Sequence, residues 1–280
     1  MFCPATGWEE KLSKNLLNEL DKDISIEKIY LGFSGGADSV LSLYFILAIS
    51  SKISLKELHL FFLDHGLPYP DMEMRKKILY DHYTFAKNFL GEQHVSFHLY
   101  HRPVKRIAKR LKTSFERAGS LVRRRLLEKI APPEAAISTG HNLSDWLETV
   151  VLRLNRGASP NAIYPIATLE KISGRMYLYP VAHLTRSEIR DICQELKLPY
   201  WDDPYNAAEY SQRGLVRQVL TFHPTGLRRS RKNFLNEKIS PEIILIPSKY
   251  TDIAYISNFE NFTFLEIKKK ESFSIPLRIS

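Results

Sequence analysis

Residues 29–39 read Ile29-Tyr30-Leu31-Gly32-Phe33-Ser34-Gly35-Gly36-Ala37-Asp38-Ser39 and run directly into Val40 to Ile49, an apolar stretch of ten. Ile29 to Phe33 is a run of strand length, and ten apolar residues are half of the about 20 that span a bilayer, so the stretch is a buried helix. Between strand and helix stand two adjacent glycines, which let the backbone turn tightly and approach a ligand with no side chain in the way. Amides at the following helix start, with the hydroxyls of Ser34 and Ser39, can then cradle phosphate oxygens. The Gly-Lys-Ser/Thr ending of a Walker loop is absent, as is a GxGxxG fingerprint, so this is a cradle without a lysine. Asp38 is acidic where a phosphate should sit. That makes sense if it holds Mg²⁺ bridging the phosphates. The bland alternative is a strand-to-helix turn capped by serine.

Outward from this turn the chain alternates. Trp8, Leu12, Leu16, Leu17 and Leu20 recur at helical spacing ahead of the first strand. Leu58 to Leu63, Val95 to Leu99 and Ala135 to Ser138 read as further strands. The segments from Asp38 to Ile49, Asp71 to Leu90, Ser114 to Ala131 and Ser144 to Asn155 read as helices, with another over Arg186 to Leu196. Strands parted by crossover helices predict an α/β fold, a parallel sheet sandwiched by helices. After about Pro224 come short runs at Ile243 to Ile246, Ile253 to Ile256 and Phe262 to Ile267, parted by Pro, Asn, Asp and Ser. The expected division is a catalytic domain over residues 1–222 and a small β-rich C-terminal annex over 223–280.

The 280 residues are 44% hydrophobic and 25% charged, which excludes a disordered or fibrous chain. Two cysteines, Cys3 and Cys193, exclude a disulfide framework, a four-cysteine metal site and a CxxC redox pair. No stretch reads as a membrane span or a signal peptide, so the expected compartment is the cytoplasm. Forty Lys and Arg against thirty-one Asp and Glu give a net charge of +9, which suits a polyanionic partner if the surplus is gathered. It is gathered: eleven Lys and Arg and two acids, Glu116 and Glu128, lie between His101 and Lys129. Arg102, Lys105, Arg106, Lys109 and Arg110 would form one helical stripe facing RNA phosphates. Arg213, Arg217, Arg228, Arg229, Arg231 and Lys232 form a second group without an intervening acid. A solvated charged face is the alternative for either group.

The Ser34, Gly35, Gly36, Asp38, Ser39 set resembles the SGGxDS signature of the PP-loop ATP pyrophosphatase superfamily. Three further stretches resemble, in the same order, motifs of the tRNA(Ile)-lysidine synthetases. They are Leu63-Asp64-His65-Gly66-Leu67; then Ser114, Glu116, Arg123 and Leu127; then Thr139-Gly140-His141 with Asp145, Glu148, Thr149, Arg156 and Gly157. Asp203, Asn206, Arg213 and Arg217 keep the spacing of a fourth. The resemblance covers roughly residues 28 to 220. It implies ATP and Mg²⁺ bound through Ser34, Gly35, Gly36, Ala37, Asp38 and Ser39, with free L-lysine and an isoleucine tRNA as partners, and neither DNA nor a membrane. The implied reaction cleaves ATP between its α- and β-phosphates, adenylates the wobble cytidine and lets the lysine amino group attack, leaving lysidine, AMP and diphosphate.

The residues suit that reaction. On a helix from Ser144, Asp145 and Glu148 lie three apart on one face, where two carboxylates suit a cationic amino acid. One could hold the substrate ammonium. Asp145 is the better candidate to help deprotonate the attacking amine, because a lysine amine has a pKa of about 10.4 and attacks only when neutral. Arg123 could pair with an ATP phosphate or with RNA backbone beside the cytidine, and Arg213 and Arg217 are candidate tRNA or phosphate contacts. Gly119-Ser120, Arg124, Asn142, Ser144, Trp146, Tyr205, Ala208 and Gly214 depart from the pattern. Compared with longer members, only a reduced annex is expected for gripping the acceptor stem. Two alternatives stay open: a tRNA thiolase of the same superfamily, for which two cysteines are few, and a catalytically decayed RNA-binding protein. His94, His98 and His101 lie close in sequence but read as surface histidines rather than a metal cluster.

Overall fold

A stretch as apolar as ADSVLSLYFILAI has no polar face to offer water, and the fold buries it entirely from Ser39 to Leu47. In the computed structural model the described residues are 4–17, 20, 24–69, 71–154 and 166–204, with the backbone of four later strands. The chain divides into two compact units. One comprises Met1–His141, Thr168–Ala182 and Arg186–Asp203; the other comprises Asn142–Ala167, His183–Thr185 and Pro204–Ser280.

The first unit begins with α1 (Trp8–Leu17), β1 (Lys28–Gly32), α2 (Ala37–Ile49), β2 (Glu57–Asp64), α3 (Met72–Leu90) and β3 (Val95–His101). It continues through α4 (Val104–Arg110), α5 (Phe115–Ile130) and β4 (Ala136–Ser138). After α6 (Leu143–Leu154), which belongs to the second unit, come β5 (Leu169–Ile172), β6 (Arg175–Leu178) and α7 (Arg186–Glu195). The six strands form one sheet in the order β3-β2-β1-β4-β6-β5, parallel throughout except for the β5–β6 hairpin at the edge. That hairpin is an element the sequence reading left out. Its turn, Ser173-Gly174, puts both residues at positive φ, and its exposed β5 carries Glu170 and Lys171 rather than an apolar run.

Order and handedness locate the site. The chain steps from β1 to β2 to β3 in one direction through α2 and α3, then returns past β1 to β4 through α4 and α5. Right-handed crossovers place these two pairs of helices on opposite faces of the sheet. Accordingly α5 covers the face of Gly32, where a Cβ would lie 3.7 Å from Leu127. The strand order therefore reverses direction between β1 and β4, the kind of switch point at whose carboxyl ends ligands bind in such sheets.

A buried polar network steadies the far wall. His82, fully buried, donates from Nε2 to the Pro199 carbonyl (2.7 Å); a carbonyl only accepts, so the proton is on Nε2 and Nδ1 accepts from the Tyr44 hydroxyl (3.1 Å). Burial lowers the pKa of His82, consistent with this neutral tautomer. Trp8 packs edge-on against Tyr44 at 5.2 Å, joining α1 to the same cluster.

In the second unit, β7 (Leu220–Thr221), β8 (Glu242–Pro247), β9 (Thr251–Asn258) and β10 (Asn261–Lys268) form an antiparallel sheet in the order β7-β10-β9-β8. The three longer strands fall on the three short runs expected after Pro224, while the compact unit that holds them also takes in Asn142–Ala167 and His183–Thr185. No described helix is long and apolar enough to cross a membrane.

Candidate active site

Strand β1 delivers the chain to the crevice, and the Phe33 N–H donates to the Phe61 carbonyl (2.7 Å), extending the β1–β2 pairing by one residue. Gly35 then takes φ +81°, a conformation that penalises any side chain, and Gly36 becomes the N-cap of α2 without a capping side chain. The amides of the helix start are therefore not consumed by a capping group on Gly36. The two serines brace the loop from within. Ser39 Oγ donates to the Gly36 carbonyl (2.9 Å) and accepts from the Ser34 amide (3.2 Å), while Ser34 Oγ lies 3.2 Å from Ser39 Oγ. Ser39 is buried, Ser34 exposed, and Ala37 and Asp38 half-buried.

The loop after β4 closes on this turn. A Cβ on Gly140 would stand 2.9 Å from the Asp38 carbonyl carbon and 3.0 Å from Asp38 Cβ, so only glycine allows the two backbones to approach so closely. Thr139 Oγ1 meets His141 Nδ1 at 2.7 Å, and the His141 ring packs edge-on to Tyr179. The threonine, glycine and histidine thus do separate work: the glycine sets the distance to Asp38, and the other two fix one another.

At the end of β2, Asp64 accepts from the Gly66 amide (2.9 Å) and pairs with His101 Nδ1 (2.8 Å). Burial works to raise its pKa, but these partners outweigh it and hold the carboxyl below its usual range. His65 packs edge-on against Phe115. Burial, with help from the Arg123 and Arg75 charges, pushes its pKa down to about 4, so it is neutral at physiological pH. The Arg123 stem passes over Gly32, its Cδ 3.8 Å from where a Cβ would stand, which brings this arginine to the same strand ends. At Gly119, an alanine methyl would meet His65 Cε1 at 3.4 Å, ordinary contact, so this departure from the family pattern is packing-neutral.

The sequence reading missed Arg75. It is 5% exposed, and its Nε donates to the Ser34 carbonyl (3.2 Å). A signal was available: Arg75, Ile78, Leu79, His82 and Ala86 are the buried residues of α3, and an arginine on such an apolar stripe has a task inside the molecule.

In the second unit, Asn142 and Asp145 cap α6 reciprocally. Asn142 Oδ1 accepts from the Asp145 amide (3.0 Å), and Asp145 Oδ2 accepts from the Asn142 amide (3.1 Å). Asp145 is half-buried and Glu148 fully buried, so the two carboxylates do not share one open surface. Asn142, a departure from the family pattern, is what makes this cap. Trp146, another, is a core residue at 4% exposure.

In the first unit, α4 and α5 pack through Val104, Ala108 and Ala118, with Ile107 and Phe115 at the margin. Arg102, Lys105, Arg106, Lys109 and Arg110 are all exposed. Arg124 spends its charge on Glu128 (2.7 Å), one helical turn on. The three neighbouring histidines part company: His94 bonds the Lys56 carbonyl, His98 bonds His59, and His101 bonds Asp64. Among the described residues no three His, Cys, Asp or Glu gather into a metal-binding cluster. Arg213, Arg217, Asn206, Arg156, Gly157 and the basic group from Arg228 to Lys232 lie outside the described residues.

A glycine-rich turn at the switch point of a mostly parallel sheet defines a class, and a model of the PP-loop domain matches residues 8–223. The chain belongs to the PP-loop domain family. Its relatives include the tRNA(Ile)-lysidine synthase of Clostridium tetani, 27% identical over 208 residues, 74% of this chain and 41% of that protein. That of Leptospira interrogans serovar Lai is 30% identical over 194 residues, 68% and 41%. That of Prochlorococcus marinus is 25% identical over 230 residues, 79% and 66%. The chain thus spans about two fifths of the first two. A solved structure, the U34-tRNA thiolase NcsA of Methanococcus maripaludis with its 4Fe-4S cluster, matches with a TM-score of 0.55 at 18% identity. The match covers 88% of this chain and 82% of that one, a likeness of fold.

Proposed function

We propose that this protein is a tRNA(Ile)-lysidine synthetase, a ligase that forms a carbon–nitrogen bond at the expense of ATP. The observation that carries the reading is the bare glycine N-cap of α2, with Asp38 pinned beside it by Gly140, in a chain whose relatives bear that name. The Gly35–Gly36 turn and the first amides of α2 receive the phosphates of ATP. Asp38 is a hard oxygen donor beside an anion site, the arrangement in which one carboxylate and the phosphates together hold Mg²⁺. The metal's contribution there is to neutralise phosphate charge.

Adenylation of the wobble cytidine oxygen releases diphosphate. The neutral amine of free lysine then attacks the adjacent ring carbon, and AMP leaves. In this assignment Asp145, held in place by Asn142, takes a proton from the lysine ammonium. Arg123 faces a phosphate, while Arg213, Arg217 and the exposed arginines and lysines of α4 draw in an isoleucine tRNA. The protein works in the cytoplasm, and residues 223–280 serve as an RNA-gripping annex to a catalytic domain over 1–222.

The test is incubation of the purified protein with ATP, L-lysine and the tRNA, followed by digestion and nucleoside analysis. Lysidine is expected, and cytidine left unmodified under all conditions sinks the reading. Among amino acids, lysine alone should stimulate tRNA-dependent AMP release.

The likeness to the thiolase NcsA favours a second reading, tRNA thiolation. Cys193 speaks against it: the thiol is fully buried, with Sγ 3.9 Å from the Ala37 carbonyl, and burial pushes its pKa up to about 12. Such a sulfur is a poor nucleophile or cluster ligand.

A further inference from the structure

We propose that Arg75 is the positioning residue of the phosphate turn. Its guanidinium, sealed in an aromatic cage behind the loop, aims the loop's amides outward and puts a fixed positive charge at the back of the anion site. The inference rests on reading that turn as a nucleotide site and is independent of which base is modified.

Two carbonyls of the turn are held from the protein side. Ser34 O accepts from Arg75 Nε (3.2 Å), and Gly35 O accepts from the Trp201 amide (2.8 Å). A trans peptide points its C=O and N–H in opposite directions, so anchoring these two oxygens turns the Gly35 and Gly36 amides the other way. The Gly36 amide meets Ser34 Oγ only at 3.4 Å, close to the limit of a hydrogen bond, which an incoming phosphate oxygen improves on.

The cage fixes the guanidinium itself. Its centre lies 4.2 Å from the Trp201 ring, 4.7 Å from Phe62 and 5.1 Å from Tyr69, and it hydrogen-bonds Tyr69. Tyr69 and Trp201 are set edge-on at 5.1 Å, two walls of one box. Asp64 and Asp203 stabilise the charge through space against the cost of burial. Only arginine suits this box, since a planar cation can stack on several rings while its in-plane N–H reaches the loop. With 5% exposure Arg75 cannot reach a ligand directly. It acts through the backbone and its field, in an environment where poor screening strengthens both.

The experiment compares binding of Mg²⁺-ATP and of adenosine by calorimetry or ligand-observed NMR on the full chain. Arg75→Met keeps the stem in the cage but removes donor and charge. The expected result is at least tenfold weaker ATP binding with adenosine affinity changed by less than twofold, a split that general loosening of the fold does not produce. Arg75→Lys keeps the charge and loses the flat stacking, and should fall between Arg75→Met and the parent chain. Lys76→Met removes an equal charge from the exposed side of the same helix, where Lys76 pairs with Glu73, and should bind ATP within twofold of the parent. If Arg75→Met folds and binds ATP as the parent does, or loses ATP and adenosine alike, the proposal fails alone. If Arg75→Met does not fold, unchanged ATP affinity in Arg75→Lys overturns it. A parent chain that binds no ATP overturns both this inference and the nucleotide reading.

Discussion

Helices α2 and α6 both follow a short loop, both carry an aspartate in the first turn and both have an apolar body, yet they treat their first amides differently. At α2 the cap is Gly36, with no side chain, and the serines around it brace the loop rather than stop the helix end. At α6 the cap is Asn142, locked with Asp145 in a reciprocal pair. One start carries no capping side chain; the other is completed by its own side chains. The same residue type therefore has two settings: Asp38 is half-buried beside a helix start with no capping side chain, and Asp145 has its orientation set by a reciprocal cap.

The comparison is broken most sharply by removing each aspartate in turn. On the proposed reaction, Asp38→Ala should lower AMP release and lysidine formation together by about 100-fold or more, whereas Asp145→Ala should mainly disable the nucleoside product. Nucleotide and nucleoside analysis of one reaction mixture reads both. Equal, near-normal turnover in the two variants would remove the assignment of separate roles.

Next in size is the pressure of one loop on the open start. Gly140→Ala inserts a methyl within 3.0 Å of the Asp38 backbone, and a displacement there should weaken ATP binding by about tenfold. Gly119→Ala meets only ordinary contact and should leave binding within about threefold. If alanine at 140 is as harmless as alanine at 119, the close seat of Asp38 carries no functional weight.

His65 gives a pH test of the same wall. Its folded pKa, about 4, lies below the ordinary histidine value of about 6.5, so the unfolded chain binds the extra proton first. Stability is full above pH 6.5 and falls as the pH drops towards 4, by at most about 3 kcal/mol. Urea melts across that range should show the slope in the parent and a shallower one in His65→Asn. An unchanged slope would place the titration elsewhere.

The smallest effect belongs to the closed start. Asn142→Ala removes one half of the α6 cap and should cost about 1 kcal/mol in chemical denaturation, with ATP binding unaltered. Loss of ATP binding in that variant would mean that the two helix starts are not independent.

Much of this was legible in the chain. The alternation of apolar runs and turn residues gave strands β1 to β4, helices α1, α2, α3, α5, α6 and α7 and strands β8 to β10 within a residue or two for most boundaries, because apolar periodicity marks each of them. The β5–β6 hairpin escaped, since an edge strand with Glu170 and Lys171 lacks such a face. In the candidate site, Ser34 to Ser39 could be read because the turn is local and needs glycine. The internal role of the two hydroxyls, the burial of Glu148 and the cap made by Asn142 could not, because they depend on where each helix begins and what covers it.

The amino-acid order alone determined that a glycine-rich turn joins a buried strand to a buried helix, because φ above zero and apolar periodicity are properties of neighbouring residues. Only the tertiary structure decided that Gly140 would press against Asp38 and that Arg75 would lie stacked behind Ser34. Those contacts join residues far apart in the chain, and the direction of a sheet crossover, which sets them, is written in no single segment.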